Sequence, residues 1–138
     1  MKAPLYTEIL AICQEIADAS ATDNEELRLA SCKKLQVLCA TNQGSPKDHP
    51  LQWEALADFT EDGEQAMDIY QVALAIAEKL SLATFTASAY LAMAQRQVEF
   101  EENDKALVFA NKANDAAQTI DSEELKTEIT ELLTQLTK

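Results

Sequence analysis

The chain has 138 residues, with 24 acidic and 11 basic side chains, a formal net charge of −13, and only 2 glycines and 3 prolines. That length suits one domain with a core large enough to fold without disulfides or metal. So acidic a surface repels phosphate backbones and anionic lipid, which disfavours nucleic acid and membrane as partners. So few turn formers disfavour a β-rich fold or a loop-rich enzyme.

The abundance of Ala, Leu, Glu, Gln and Lys points to an all-α fold. Punctuation then divides the chain into seven helices. The first is expected from about Leu5 to Asp18, with Pro4 at a tolerated early position. Asp23 or Asn24 caps the second, with Glu25 and Glu26 in its first turn, where the helix dipole favours anions. It ends near Thr41. The run from Asn42 to His49 is the one clear loop, and Pro50 suits the first turn of a short third helix ending near Thr60. After the turn at Gly63, a fourth helix runs from about Glu64 to Lys79 and a fifth from about Ala83 to Glu101. Asn103 or Asp104 caps a sixth, reaching about Thr119, and Asp121 or Ser122 caps the last. Short connections imply antiparallel neighbours.

Internal repetition gives the arrangement. The segment Gln65–Leu74 aligns with Lys105–Asn114, so that Ala66 meets Ala106 and Ala73 meets Ala113 at a separation of 40 residues. Each segment opens a helix that follows another helix, which makes the repeating unit a helix pair. Small Ala66, aromatic Tyr70 and small Ala73 resemble the second helix of a tetratricopeptide repeat. Trp53, Leu56 and Ala57 are similar to that family's first helix, as are Tyr90, Met93 and Ala94, although Thr60 and Gln97 stand where it carries an aromatic. Ile9, Ile12, Cys13 and Ile16 keep the spacing more faintly. The long period resembles the longer-helix variant of kinesin light chains. The resemblance implies a right-handed solenoid over residues 1–138. A divergent pair spans 1–42, two repeat-like pairs span 50–120, and a capping helix spans 121–138. That last helix carries Leu125, Ile129, Leu132, Leu133 and Leu136 as one apolar stripe, suited to covering the open end of a stack.

No constellation for catalysis stands out. His49 is the only histidine, and it is expected to be a solvated loop residue. Cys13, Cys32 and Cys39 are expected to serve as small apolar packing groups. Gly44 and Gly63 stand alone, so there is no phosphate-binding loop. The reading therefore assigns no catalytic residue, no metal and no cofactor. No apolar run reaches the roughly 18 residues a membrane span needs, and Glu8 and Glu15 interrupt any apolar N-terminal segment. Together with three cysteines, an odd number, this makes the cytoplasm the expected location.

What remains is a groove. In tetratricopeptide stacks the first helix of each pair lines the concave side. The resemblance places Thr7, Leu10 and Gln14 there, then Leu51, Glu54 and Asp58, then Ser88, Leu91, Gln95, Val98 and Glu99. Some family members clamp a C-terminal carboxylate with Lys and Asn. Leu91, Gln95 and Val98 fill such places here, so that clamp is not expected. The expected partner is another protein, offering a peptide or helix with apolar anchors and a Lys or Arg. The alternative is a self-associating solenoid, a homodimer through its open N-terminal face.

Overall fold

The computed structural model describes residues 3–138. These form α1 (Tyr6–Ala21), α2 (Glu25–Asn42), α3 (Pro50–Asp58), α4 (Gly63–Lys79), α5 (Ala83–Glu99), α6 (Asn103–Ala116) and α7 (Glu123–Leu136). A 3-10 turn, Ala117–Thr119, follows α6, and there is no strand among the described residues. The closest pairings are α1 with α2, α3 with α4, and α5 with α6. Beyond sequence neighbours, α1 touches α3 and α3 touches α5.

Side-chain oxygens start three of the helices by occupying free N–H groups of the first turn. Asn24 Oδ1 accepts from the Leu27 amide at 3.1 Å, Asp62 Oδ1 from the Glu64 amide at 3.0 Å, and Ser122 Oγ from the Leu125 amide at 3.2 Å. His49 departs from expectation. It is half-buried, its Nδ1 accepts from the Leu51 amide at 3.1 Å, and its ring meets Phe85 edge-on at 4.9 Å. It is thus the cap of α3 rather than a solvated loop residue, and burial lowers its pKa while neighbouring Asp48 opposes this. Asn103 and Asp104 lie inside α6, whose N-cap position is Glu102 with no side-chain bond.

Three helices end in the same way. The amides of Asn24, Leu82 and Glu102 each bond back five residues, to Ala19, Ala77 and Gln97, all at 2.8 Å. The residues just before them, Asp23, Ser81 and Glu101, take φ of 54°, 56° and 60°. This is the left-handed helix cap that glycine usually fills. Neither glycine serves it: Gly44 turns the loop at φ 76°, and Gly63 starts α4. A Cβ on Gly63 would lie 1.9 Å from Cζ of Phe100, so its bareness lets that ring rest on the start of α4.

Apolar packing forms three clusters. Ile9 and Ile16 of α1 meet Leu35 and Cys39 of α2, Trp53 and Leu56 of α3, and Ala73 of α4. Met93 of α5 packs with Ala57, Ala66 and Tyr70. Ala87, Leu91 and Ala94 of α5 meet Ala110 and Ala113 of α6 and Ile129 and Leu132 of α7. The aligned alanines Ala66, Ala73, Ala106 and Ala113 are all fully buried, which lets their helices approach closely. The loop before α3 is pinned by Asp48, which accepts from the Gly44 amide at 2.8 Å and from Trp53 Nε1 at 2.7 Å.

Candidate functional site

A cleft opens where α1, α3 and α5 come together. Residues three, four and seven apart share one side of a helix. On α3 that side carries Leu51, Glu54, Ala55 and Asp58; on α5 it carries Phe85, Ser88, Ala92, Gln95 and Glu99. On α1 it carries Tyr6, Ile9, Leu10 and Cys13. The cleft has two hollows. One, of about 380 Å³, lies between Tyr6, Leu10 and Cys13 of α1, Leu51 and Glu54 of α3, and Phe85 and Ser88 of α5. The other, of about 460 Å³, is lined by Tyr70, Ala92, Gln95, Arg96 and Glu99. Asp58 belongs to both.

Of the sequence-predicted site residues, Glu54, Asp58, Ser88, Gln95 and Glu99 line these hollows. Leu91 and Val98 do not. Leu91 is only 4% exposed, packed with Ala87, Ala94, Ile129 and Leu132, and Val98 lies against the same cluster. The reason is angular. The cleft side of α5 runs through 85, 88, 92, 95 and 99, whereas 87, 91, 94 and 98 form the adjacent stripe that α6 and α7 cover. On α1, Leu10 lines the cleft, whereas Thr7 and Gln14 are exposed and Gln14 bonds Asp18. Tyr6, Cys13, Phe85 and Arg96 are cleft residues that the sequence reading did not pick out; extending the Ser88–Gln95–Glu99 spacing back from Ser88 finds Phe85.

The floor of the cleft is polar. Ser88 Oγ donates to Glu54 Oε1 at 2.5 Å. Burial raises the Glu54 carboxyl to about 7, the nearby Asp58 charge adds to this, and the Ser88 hydroxyl opposes it. The Tyr70 hydroxyl donates to Asp58 Oδ1. The Asp58 carboxyl is also raised by burial, against the Tyr70 bond and the Arg96 charge. Asp58 keeps an exposed edge, so water screens its charge more than that of half-buried Glu54. Burial and Asp58 raise the Tyr70 hydroxyl, which keeps it a donor.

Arg96 organises the end of α3. Its Nη2 donates to the carbonyls of Ala57, Asp58 and Thr60 at 3.2, 3.3 and 2.8 Å, and Nη1 lies 3.8 Å from Glu99 Oε2. A helix C-terminus is its negative end, and a guanidinium there stabilises it. Thr60 Oγ1 adds a bond to the Leu56 carbonyl at 2.7 Å.

Two recessed carboxyls in a cleft mark a place where chemistry or binding concentrates. The one sulfur nucleophile nearby, Cys13, has its thiol raised by burial and then by Asp58, which favours the thiol over the thiolate. Among the described residues no group of three His, Cys, Asp or Glu is placed to hold a metal ion, and no helix is long and apolar enough to cross a membrane. Glu54 and Asp58 form no ion pair with a Lys or Arg among the described residues. No family model, curated protein or solved structure matches the chain.

Proposed function

We propose that this chain is a tetratricopeptide-like stack of helix pairs that binds a peptide or helix of a partner protein in the cleft of α1, α3 and α5. The observation that carries the reading is the joining of the two hollows at Asp58, along the first helices of three successive pairs. The contacts of α1 with α3 and of α3 with α5 support a stacked order of pairs. Apolar walls supply affinity and the acidic floor supplies selectivity. Three free thiols suit a reducing cytoplasm as the place of action. No catalytic role is assigned to any residue.

Site-specific photocrosslinking in the native host tests this. A crosslinker replacing Leu10 in the cleft should capture a partner, and Phe85→Asp should abolish the adduct. A crosslinker replacing Val108, exposed on α6, should not. Equal capture at both positions, unaffected by Phe85→Asp, rejects the cleft. A second reading, self-association, is favoured by the exposure of Leu29 and Val37 on α2, at 56% and 51%. Concentration-dependent light scattering distinguishes it, because a dimer through α2 is lost in Leu29→Asp and leaves the cleft residues free.

A further inference from the structure

We propose that the hollow at Glu54 is a socket for one long cationic side chain, a lysine or arginine of the partner protein. This rests on the reading of the cleft as a docking site and adds the chemistry of its central anchor.

Three observations carry it. First, the walls and floor differ in character. Tyr6, Leu10, Leu51 and Phe85 offer apolar surface, and Glu54 sits with them, one carboxyl oxygen engaged by Ser88. Lysine and arginine have this same division, an apolar stem with a charged head. Second, no lysine or arginine among the described residues lines this hollow. Helices α1, α3 and α5 carry the acids Glu8, Glu15, Asp18, Glu54, Asp58 and Glu99 and a single base, Arg96. Arg96 is committed to the carbonyls at the end of α3. Third, Arg96 already meets the carbonyls at the negative end of α3, so the groups left in this hollow to attract a cation are the carboxyls of Glu54 and Asp58.

A neutral apolar side chain fits the walls less well as a whole. Seated there, it would strip water from Glu54 and give nothing back, which is costly for a buried carboxylate. A cationic head turns the same desolvation into a charge-assisted hydrogen bond. It also draws the proton from Glu54, so docking is coupled to proton release. The other groups around Glu54 are Asp58 on its own helix, Tyr6 and Cys13 on α1, and the uncharged Ser88 on α5. Asp58 is the other acid among them and adds to the attraction for a cation, against the charge of Arg96 beside it.

The test uses the full chain and small probes, with chemical shifts of Leu10, Leu51 and Phe85 as the readout. The probes are Nα-acetyl-lysine methylamide, its arginine and norleucine counterparts, and putrescine. The lysine and arginine probes should saturate these shifts, binding at least about five-fold more tightly than norleucine. Glu54→Gln should remove that preference, with norleucine bound as tightly as before or more tightly, because no carboxylate is then stripped of water. Lowering the pH from about 8 to about 5.5, through the range where Glu54 gains its proton, should weaken the lysine probe and not norleucine. Norleucine equal to lysine, or a lysine preference that survives in Glu54→Gln, overturns the socket and leaves the cleft intact as an apolar docking site. Putrescine binding more tightly than either amino-acid probe also overturns it, in favour of a small-amine site. If no probe shifts these residues while a crosslinked partner still protects them, the socket is wrong and the docking reading stands. If the crosslinked partner does not protect them, the docking reading fails with it.

Discussion

Replacing Glu54 with Gln removes one charge and keeps the shape and an oxygen that accepts the Ser88 hydroxyl. The size of the effect follows from the surroundings of Glu54. Burial takes its carboxyl from 4.5 to about 7. At about 1.4 kcal/mol per pH unit, the charged form costs the fold about 3 kcal/mol at most, and solvent reaching this half-buried group reduces that to about 1–2 kcal/mol. The sign is that of a raised acid. Between about pH 4.5 and 7 the folded state holds more protons than the unfolded state, so this contribution to stability is present in acid and lost as the pH rises. The Gln variant has no such loss. At about 2–4 °C per kcal/mol for a chain near this length, it should melt about 2–8 °C higher than the parent near pH 8, and the two should converge near pH 5. Far-UV circular dichroism melts across that range provide the assay. The net charge of −13 makes both proteins relax in acid, so the difference between them is the readout. A difference constant with pH, or a Gln variant less stable near pH 8, would refute the placement of Glu54 in a desolvated cleft.

Arg96→Ala should cost about 1.5–3 kcal/mol, the range for hydrogen bonds to a charged group, and should speed hydrogen exchange in the 59–62 turn; unchanged exchange there would contradict its role at the end of α3. Ending the chain before Ser122 removes Ile129 and Leu132, buried side chains contributing about 1.5–3 kcal/mol each, and uncovers Leu91 and Ala94. The shortened chain should melt lower or associate, and one that stays monomeric with an unchanged melting temperature would deny that α7 covers α5 and α6. Glu101→Gly should raise stability by about 0.5–1 kcal/mol, because the left-handed φ of 60° strains any residue with a Cβ; a lower melting temperature would contradict the cap geometry.

Much of the helix layout was legible because it depends on local chemistry. Asn24 and Ser122 are caps, and Pro50 starts α3, as their residue types predict. The alanines of the 40-residue alignment are buried because small side chains at helix crossings leave a sequence signal. The left-handed caps at Asp23, Ser81 and Glu101 left none, since the expected glycine is missing from all three. His49 was misread for a similar reason: imidazole is an uncommon N-cap, and its ring contact with Phe85 depends on α5 lying beside the loop. The cleft was partly legible. Glu54 and Asp58 follow from the α3 periodicity alone, but α5 is apolar on two adjacent sides. Leu91 and Ala92 are equally suited to either, and only the position of α7 decides that Leu91 is covered and Ala92 faces the cleft.

The central claim is that the α1, α3 and α5 cleft, with Glu54 at its floor, is the binding surface. Chemical-shift mapping of a peptide selected from a random display library against the whole chain tests it most directly. The account predicts a selected sequence with a Lys or Arg among apolar residues. It places the largest shifts at Leu10, Leu51, Glu54, Phe85 and Ser88, extending past Asp58 to Gln95. Shifts concentrated on the outer side of α2, at Leu29 and Val37, or on α6 at Val108, with the cleft unmoved, would contradict it.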